Sequence, residues 1–551
     1  MRTFEVLAEQ IMEESRGPLY CLMGGTNMQL VSALDVRGLP IRHVKHEASA
    51  VAMAEGCAQA TGDPGIATVT SGPGLTQVAT SLVVASRSRT PLVLLTGDTP
   101  LATHGGLQEF EHQRFAAACE AGYVGLRTSQ DAATTVREAF NLARQQRRPV
   151  VLDLPVDIQQ ESIDASLQPL RASVQKVPRP RRMVPVAADL ERAADWLTSA
   201  HQVLIVAGQG ASSAGAVSAS RAVAERLGAA LGTTLLSKGA FDQHDLDLGV
   251  IGGFSNAEVV AALEDVDLVL ALGTSLEPHA TRRGKVLAGR RLIWIDKEPP
   301  RPVGPDVDCV QLQGDARATL LGLLDLLPVE GGVPRDAIRA AARTRRQRAH
   351  SRAGLPADRS GRLHPARLIG AVQAALPPDL PIVIGVGHHW GFAIEGLYPC
   401  DQRKLWFSHQ FGAVGQTLPL AMGLCDGADA QPLLVIDGDG SLMMHVQELA
   451  TLAASELPIL VLAVNDGAYG AEVHKLTAMG EDPSIARFGV PDLRAAAHGL
   501  GLEAQRLAAS DEVASAIGSF VTDPRPFLLD APVDGSVVSD MYRRMHFGED
   551  I

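Results

Sequence analysis

What this 551-residue chain has little of narrows its function first. Basic residues are outnumbered, 49 Lys and Arg against 62 Asp and Glu, giving a formal net charge of −13. Binding a phosphate backbone or an anionic membrane depends on clustered Lys and Arg, so nucleic acid and membrane are not expected partners and a small molecule is. Cysteine is scarce and scattered: Cys21, Cys57, Cys119, Cys309, Cys400 and Cys425 form no CxxC pair. That spacing suits neither a disulfide framework nor a zinc site, and it fits six reduced, buried thiols in a cytoplasmic protein. No apolar run approaches membrane-spanning length, and the opening MRTFEVLAEQIMEES has the pattern of an acidic amphipathic helix rather than a targeting signal.

What is present is a chain 46% hydrophobic and 20% charged, with enough apolar residues for several cores. Apolar strands alternate with helical patterns, the signature of parallel α/β layers. They do so in three blocks, giving an α/β fold of three doubly wound parallel-sheet domains. The first, 1–165, has strands near Ile41–Val44, Ile66–Val69, Pro91–Leu95 and Val150–Leu154, with a helix over Ala48–Thr61. A proline-rich linker, 166–186, follows. The central domain, 187–330, has strands near Val203–Val206, Leu268–Leu272 and Arg291–Ile295. A helical, Arg-rich linker and loop, 331–360, lead to the last domain, 361–551, with strands near Ile382–Gly385, Leu433–Asp437, Ile459–Val464 and Phe527–Asp530. The first and last blocks are alike.

PLLVIDGDGSLMMHVQELATL, Pro432–Leu452, places Asp439 between two glycines where a strand hands over to a helix expected over Ser441–Ser455. Asn465 follows 26 residues later, at the end of the next apolar strand. In a βαβ unit the two emerge side by side at the carboxyl edge of the sheet, where open α/β sheets bind ligands. The Asp439 carboxylate, the Asn465 amide oxygen and the Gly467 carbonyl are hard donors suited to Mg²⁺, which completes its shell with phosphate oxygens and water. Gly438 and Gly440 admit close backbone approach, and a helix starting at Ser441 aims free N–H groups at the same place. GDGS alone reads as an N-cap; the paired spacing points to a metal diphosphate.

These motifs resemble those of thiamine diphosphate (ThDP) enzymes of the acetolactate synthase, pyruvate decarboxylase and benzoylformate decarboxylase group, in the right order over nearly the whole chain. HEASAVAMAEGCAQATGDPGIATVTSGPG, His46–Gly74, is similar to the first-domain signature in which the glutamate after the histidine activates the cofactor. The resemblance gives that role to Glu47. VGHHW, Val386–Trp390, resembles the diphosphate-contacting loop and implies contacts from Gly387, His388 and His389. FGAVGQTLP, Phe411–Pro419, resembles the segment that bends the cofactor, with the Gly412 carbonyl on its aminopyrimidine and Val414 as an apolar wedge. Thr26, Asn27 and Gln108 fall where related enzymes place substrate-facing polar residues, although loop hydrogen bonding explains them almost as well. Glu472 could face substrate or solvent. The implied domains are pyrimidine-binding, central and diphosphate-binding, in a homodimer or homotetramer with active sites between chains.

Departures touch the substrate site. Where acetolactate synthases carry a lysine after DLP, this chain has Val156; their arginine is matched by His279; their tryptophan after the metal loop is missing from AYGAEVHKL. The expected activity is C–C cleavage or joining next to a carbonyl, on a 2-oxo acid or related compound, with an altered substrate site. Acyloin lyase, diketone hydrolase and a non-catalytic ThDP-binding protein are the alternatives. GQGASSAG, Gly208–Gly215, follows a strand without the GxGxxG spacing and leaves FAD or a nucleotide in the central domain open.

Overall fold

The computed structural model describes residues 1–547 except 102–104, 164–168, 177–181, 243, 305–306, 330, 351–354, 360, 399–400 and 402–403. Cys400, much of the proline-rich linker and part of the loop after the Arg-rich helix lie outside the described residues.

Three six-stranded parallel sheets form the protein. Across the first, the strands run Ile41–His43, Leu19–Cys21, Gly65–Val69, Leu92–Asp98, Pro149–Pro155 and Gly122–Gly125. Across the third they run Leu405–Ser408, Ile382–Gly385, Leu433–Gly438, Ile459–Asn465, Phe527–Pro532 and Ala504–Arg506, the same order of connections. The central sheet differs. Its strands run Cys309–Gln313, Arg291–Asp296, Leu268–Leu272, Val203–Ala207, Ala230–Thr233 and Asp247–Val250, the order of dinucleotide-binding folds, with the chain reversing direction across the sheet between Val203–Ala207 and Leu268–Leu272. Central strands such as Leu268–Leu272 are buried on both faces, which is why they read as continuous apolar runs.

The strands absent from the sequence reading, Leu19–Cys21, Gly122–Gly125, Ala230–Thr233, Asp247–Val250, Cys309–Gln313, Leu405–Ser408 and Ala504–Arg506, are three to five residues long. Many lie at or near sheet edges, where ladder partners rather than a hydrophobic run define the strand. The helix expected over Ser441–Ser455 is two helices, Asp439–Met444 and Glu448–Ser455. Asp439 is therefore the first helical residue, capped by Gly438, and the break leaves His445 to pack its ring edge-on to His46 at 5.2 Å. Cys309 is half-buried rather than buried.

The first and third domains share one core through helices Glu47–Thr61 and Thr417–Gly427. These cross backbone to backbone. A Cβ on Gly423 would stand 1.9 Å from the Met53 carbonyl oxygen, and one on Gly56 would stand 2.1 Å from that of Leu420. Only glycine permits this approach. No described helix is long and apolar enough to cross a membrane.

Candidate active site

Strands Leu433–Gly438 and Ile459–Asn465 are hydrogen-bonded neighbours, with Gly438 opposite Val464, so Asp439 and Asn465 leave the same sheet edge side by side. Asn465 is fully buried. Its Nδ2 donates to Asp530 Oδ1 at 2.7 Å and to the Pro491 carbonyl at 2.9 Å, which fixes the orientation of the amide. Its Oδ1 is left buried with no hydrogen-bond partner. An orphan acceptor of this kind costs about 1–3 kcal/mol, and a metal ion is a natural occupant. Asp439 is 2% exposed, and its Oδ2 accepts the Gly467 N–H at 2.8 Å. Burial and the neighbouring Asp466 carboxylate push the Asp439 carboxyl upward, and burial does the same to Asp466. Two crowded carboxyls beside an unsatisfied amide oxygen are a donor set that a divalent cation would relieve. The Gly467 carbonyl already accepts the Phe488 and Gly489 N–H groups at 3.0 and 3.1 Å.

Around this pair the third sheet opens onto a cavity of about 1250 Å³ facing the central domain. Gly387, His388, His389, Gly412, Val414 and Gly438–Ser441 all line it. His388 is held neutral, its pKa pushed down to about 2 by burial and by His474 and His389, and its Nε2 accepts the Ser539 N–H at 3.2 Å. His389 is also pushed down, to about 4, and its buried Nε2 has no partner. The Ser441 hydroxyl donates to Asp437 at 2.9 Å and accepts the Gly415 N–H at 3.0 Å. This chain ties the Gly412–Gly415 segment to the GDGS turn. Asp437 was given no role from the sequence, its signal being its place just before GDGS, and Asp466 stood only as the middle residue of the Asn465-Asp466-Gly467 motif. Val414, 41% exposed, offers an apolar face to the cavity.

The first-domain residues stand elsewhere. Glu47 opens helix Glu47–Thr61 and is half-buried, but neither it nor Thr26, Asn27 or Gln108 lines the cavity of its own chain. Thr26 and Gln108 are brought together: Ser71 donates its N–H to Thr26 Oγ1 at 3.1 Å and its hydroxyl to Gln108 Oε1 at 2.9 Å. Gly72 makes this turn at φ +56°, followed by Pro73 at the start of a helix. Asn27 is buried, with Oδ1 on the Gly24 N–H and Nδ2 on the Leu22 carbonyl and Thr68, so its side chain holds the turn. Glu472 is exposed at the cavity edge and pairs with Lys475 at 3.1 Å.

The chain matches the family models of the thiamine pyrophosphate enzyme N-terminal TPP binding domain over residues 1–118, central domain over 190–323 and C-terminal TPP binding domain over 385–531. It belongs to the thiamine pyrophosphate enzyme family. Among its relatives is a probable 2-ketoarginine decarboxylase of Pseudomonas aeruginosa, 32% identical over 477 residues, covering 82% of each chain. Acetolactate synthase 2, chloroplastic, of Nicotiana tabacum is 28% identical over 96% of this chain and 82% of its own. The acetolactate synthase isozyme 3 large subunit of Escherichia coli is 28% identical over 97% of this chain and 95% of its own. This thiamine pyrophosphate enzyme is thus of the acetolactate synthase and decarboxylase type, with all three family domains in order.

Proposed function

We propose that this enzyme uses ThDP and Mg²⁺ to cleave or form the bond next to the carbonyl of a 2-oxo acid. The carrying observation is the buried, unpartnered Asn465 Oδ1 at the same sheet edge as Asp439. Asp439 and Asn465 would hold Mg²⁺ against the cofactor's diphosphate, the Gly467 carbonyl joining them on giving up one of the two N–H groups it accepts, and the turns at Gly387–His389 and Gly438–Ser441 would surround it. Bound ThDP supplies an electron sink for the broken bond. The buried neutral His388 and His389 contribute hydrogen bonds without adding charge, and Val414 with Phe411 offers the cofactor an apolar surface.

Glu47 is the proposed proton-handling acid, acting on a cofactor bound by another copy of the chain. Two exposed apolar edges support this assembly. Met23, Met28, Leu107 and Phe110 border the Thr26–Gln108 turn, while Phe411, Met443, Met444 and Tyr469 border the cofactor turns. Each edge is too apolar to face water without cost. A homodimer burying one edge against the other completes two sites, and a tetramer would pair such dimers.

Lys475 at the cavity edge is held by Glu472 at 3.1 Å, and a substrate carboxylate that displaced Glu472 would take its place, an arrangement suited to a 2-oxo acid. The departures at Val156 and His279 imply a substrate other than that of an acetolactate synthase. The cavity continues to the central sheet's switch point at Gln209–Gly210 and Gly273–Thr274, with Lys297 and Arg301 beside it, the place where FAD or a nucleotide would bind. Reduced thiols fit a cytoplasmic setting. Purified protein with ThDP and Mg²⁺, screened against 2-oxo acids including one with a cationic tail, acyloins and diketones, tests the reading. Turnover of 2-oxo acids is the expected result. Turnover confined to acyloins or diketones would overturn the substrate class, and failure to bind ThDP would overturn the whole reading.

A further inference from the structure

The first domain holds a buried polar group that the cofactor site leaves unused. Strands Leu92–Asp98 and Pro149–Pro155 pair in register with Asp98 opposite Pro155, and the helix His112–Ala118 packs against the second of them. This brings Asp98, His112 and Asp153 together. His112 is 3% exposed and Asp153 is 2% exposed. His112 Nδ1 lies 3.0 Å from Asp153 Oδ1, and the Tyr123 hydroxyl donates to the other Asp153 oxygen at 2.6 Å.

With the Nδ1 proton given to Asp153, the imidazole lone pair is on Nε2. That atom is buried, has no hydrogen-bond partner and lies 3.6 Å from Asp98 Oδ1. The gap is too long for a hydrogen bond. It is near the roughly 3.3–3.5 Å that separates two ligands on one tetrahedral ion with metal–ligand bonds of about 2.0–2.2 Å. A carboxylate behind a histidine, orienting it through its other nitrogen, is a recurrent arrangement at metal centres. Charge balance points the same way. Among the described residues no Lys or Arg pairs with Asp98 or Asp153, and Arg127 reaches the Tyr123 hydroxyl instead, at 3.0 Å. Two carboxyl side chains and an imidazole gathered without a Lys or Arg partner are a donor set that suits a divalent cation.

We propose that Asp98 and His112 bind a divalent transition-metal ion, Zn²⁺ being the best fit to mixed imidazole and carboxylate donors, with Asp153 orienting the imidazole. The Asp98 side chain is 16% exposed, which gives the ion an entry and room for water ligands. The site has a structural consequence. Asp98 ends a strand and His112 begins a helix, and Gln108 lies on the chain between them. Gly97 packs so tightly on Thr26 that an added Cβ would stand 2.3 Å from Thr26 Oγ1. An ion joining Asp98 to His112 ties the end of that strand to the start of that helix, on either side of Gln108 in the chain.

The test uses full-length protein saturated with Mg²⁺ and ThDP, equilibrated with Zn²⁺, dialysed and assayed for bound metal; Co²⁺ provides a visible spectrum for the same site. Wild type is expected to retain one Zn²⁺ per chain. Asp98→Asn and His112→Gln are expected to lose it, and Asp153→Asn to bind it about 10- to 100-fold more weakly. Asp439→Ala is expected to keep it. No zinc uptake by wild type, or the same stoichiometry and affinity in Asp98→Asn with a wild-type circular dichroism spectrum, overturns the proposal. Asp98 is the more exposed ligand, so that variant remains informative if His112→Gln does not fold.

Discussion

Replacing Asn465 with alanine separates ligand binding from structural support within one residue. In the unloaded protein the change removes the orphan Oδ1, relieving about 1–3 kcal/mol of unmet desolvation. It also removes the amide bond to Asp530, about 1.5–3 kcal/mol because the acceptor is a carboxylate, and the bond to the Pro491 carbonyl, about 0.5–1.5 kcal/mol. Asp530 would keep Arg506 at 3.2 Å. The loss exceeds the gain by about 1 kcal/mol at mid-range, and the unloaded variant should be weaker by no more than about 3.5 kcal/mol. The loaded state behaves differently. At ligand concentrations a hundredfold above Kd, wild type gains about 2.7 kcal/mol from binding, and a variant without the Asn465 oxygen should lose most of that gain. Thermal unfolding with and without Mg²⁺ and ThDP at fixed concentrations reads both terms. A full ligand-induced shift in Asn465→Ala would refute Asn465 as a metal ligand.

Four further outcomes are expected. Glu47→Gln should retain ThDP yet slow turnover by about 10²- to 10⁴-fold, and wild-type proton exchange at the cofactor's C2 in that variant would exclude Glu47 as the activating acid. Mixing inactive Glu47→Gln with inactive Asp439→Ala should restore up to about a quarter of wild-type activity, because a mixed dimer has one site with both residues intact; no recovery after subunit exchange would place the site within one chain. Glu55 is buried, and burial pushes its carboxyl from 4.5 up to about 7. Above pH 7 the unfolded chain ionises this group freely and the folded chain does so at a cost. Below pH 4.5 both forms hold the proton, so Glu55→Gln should stabilise by up to about 3 kcal/mol at pH 8 and not at pH 4.5, read from denaturant midpoints. Gly423→Ala puts a carbon 1.9 Å from the Met53 oxygen, so the two helices must part, and a loss of at least about 1–3 kcal/mol is expected; an unchanged melting temperature would show that the seam yields freely.

How much of this was legible beforehand depended on the range of the forces involved. Long apolar strands such as Leu268–Leu272 announce themselves because both their faces are buried. Leu19–Cys21 and Gly122–Gly125 do not, since three or four residues acquire strand geometry from their ladder partners. The turns proposed to hold the cofactor correspond to local motifs of the third domain, and Gly387–His389, Gly412, Val414 and Gly438–Ser441 all line one cavity. Asn27 shows the limit. Its neighbour Thr26 joins the Ser71–Gln108 cluster, while Asn27 itself turns inward to three internal partners, and nothing in the tripeptide distinguishes the two.

The sequence by itself determined three parallel α/β layers and the pairing of Asp439 with Asn465, because both follow from hydrophobic period and from a 26-residue spacing across one βαβ unit. Only the tertiary structure decided which polar atoms remain without partners. The Asn465 amide is oriented by Asp530, a residue 65 positions away, and the His112 imidazole by Asp153, 41 positions away. Hydrogen-bond satisfaction is a property of the packed interior, so the oxygen of Asn465 and the Nε2 of His112 became visible as unpartnered atoms, and so as proposed ligands, only after every other partner had been placed.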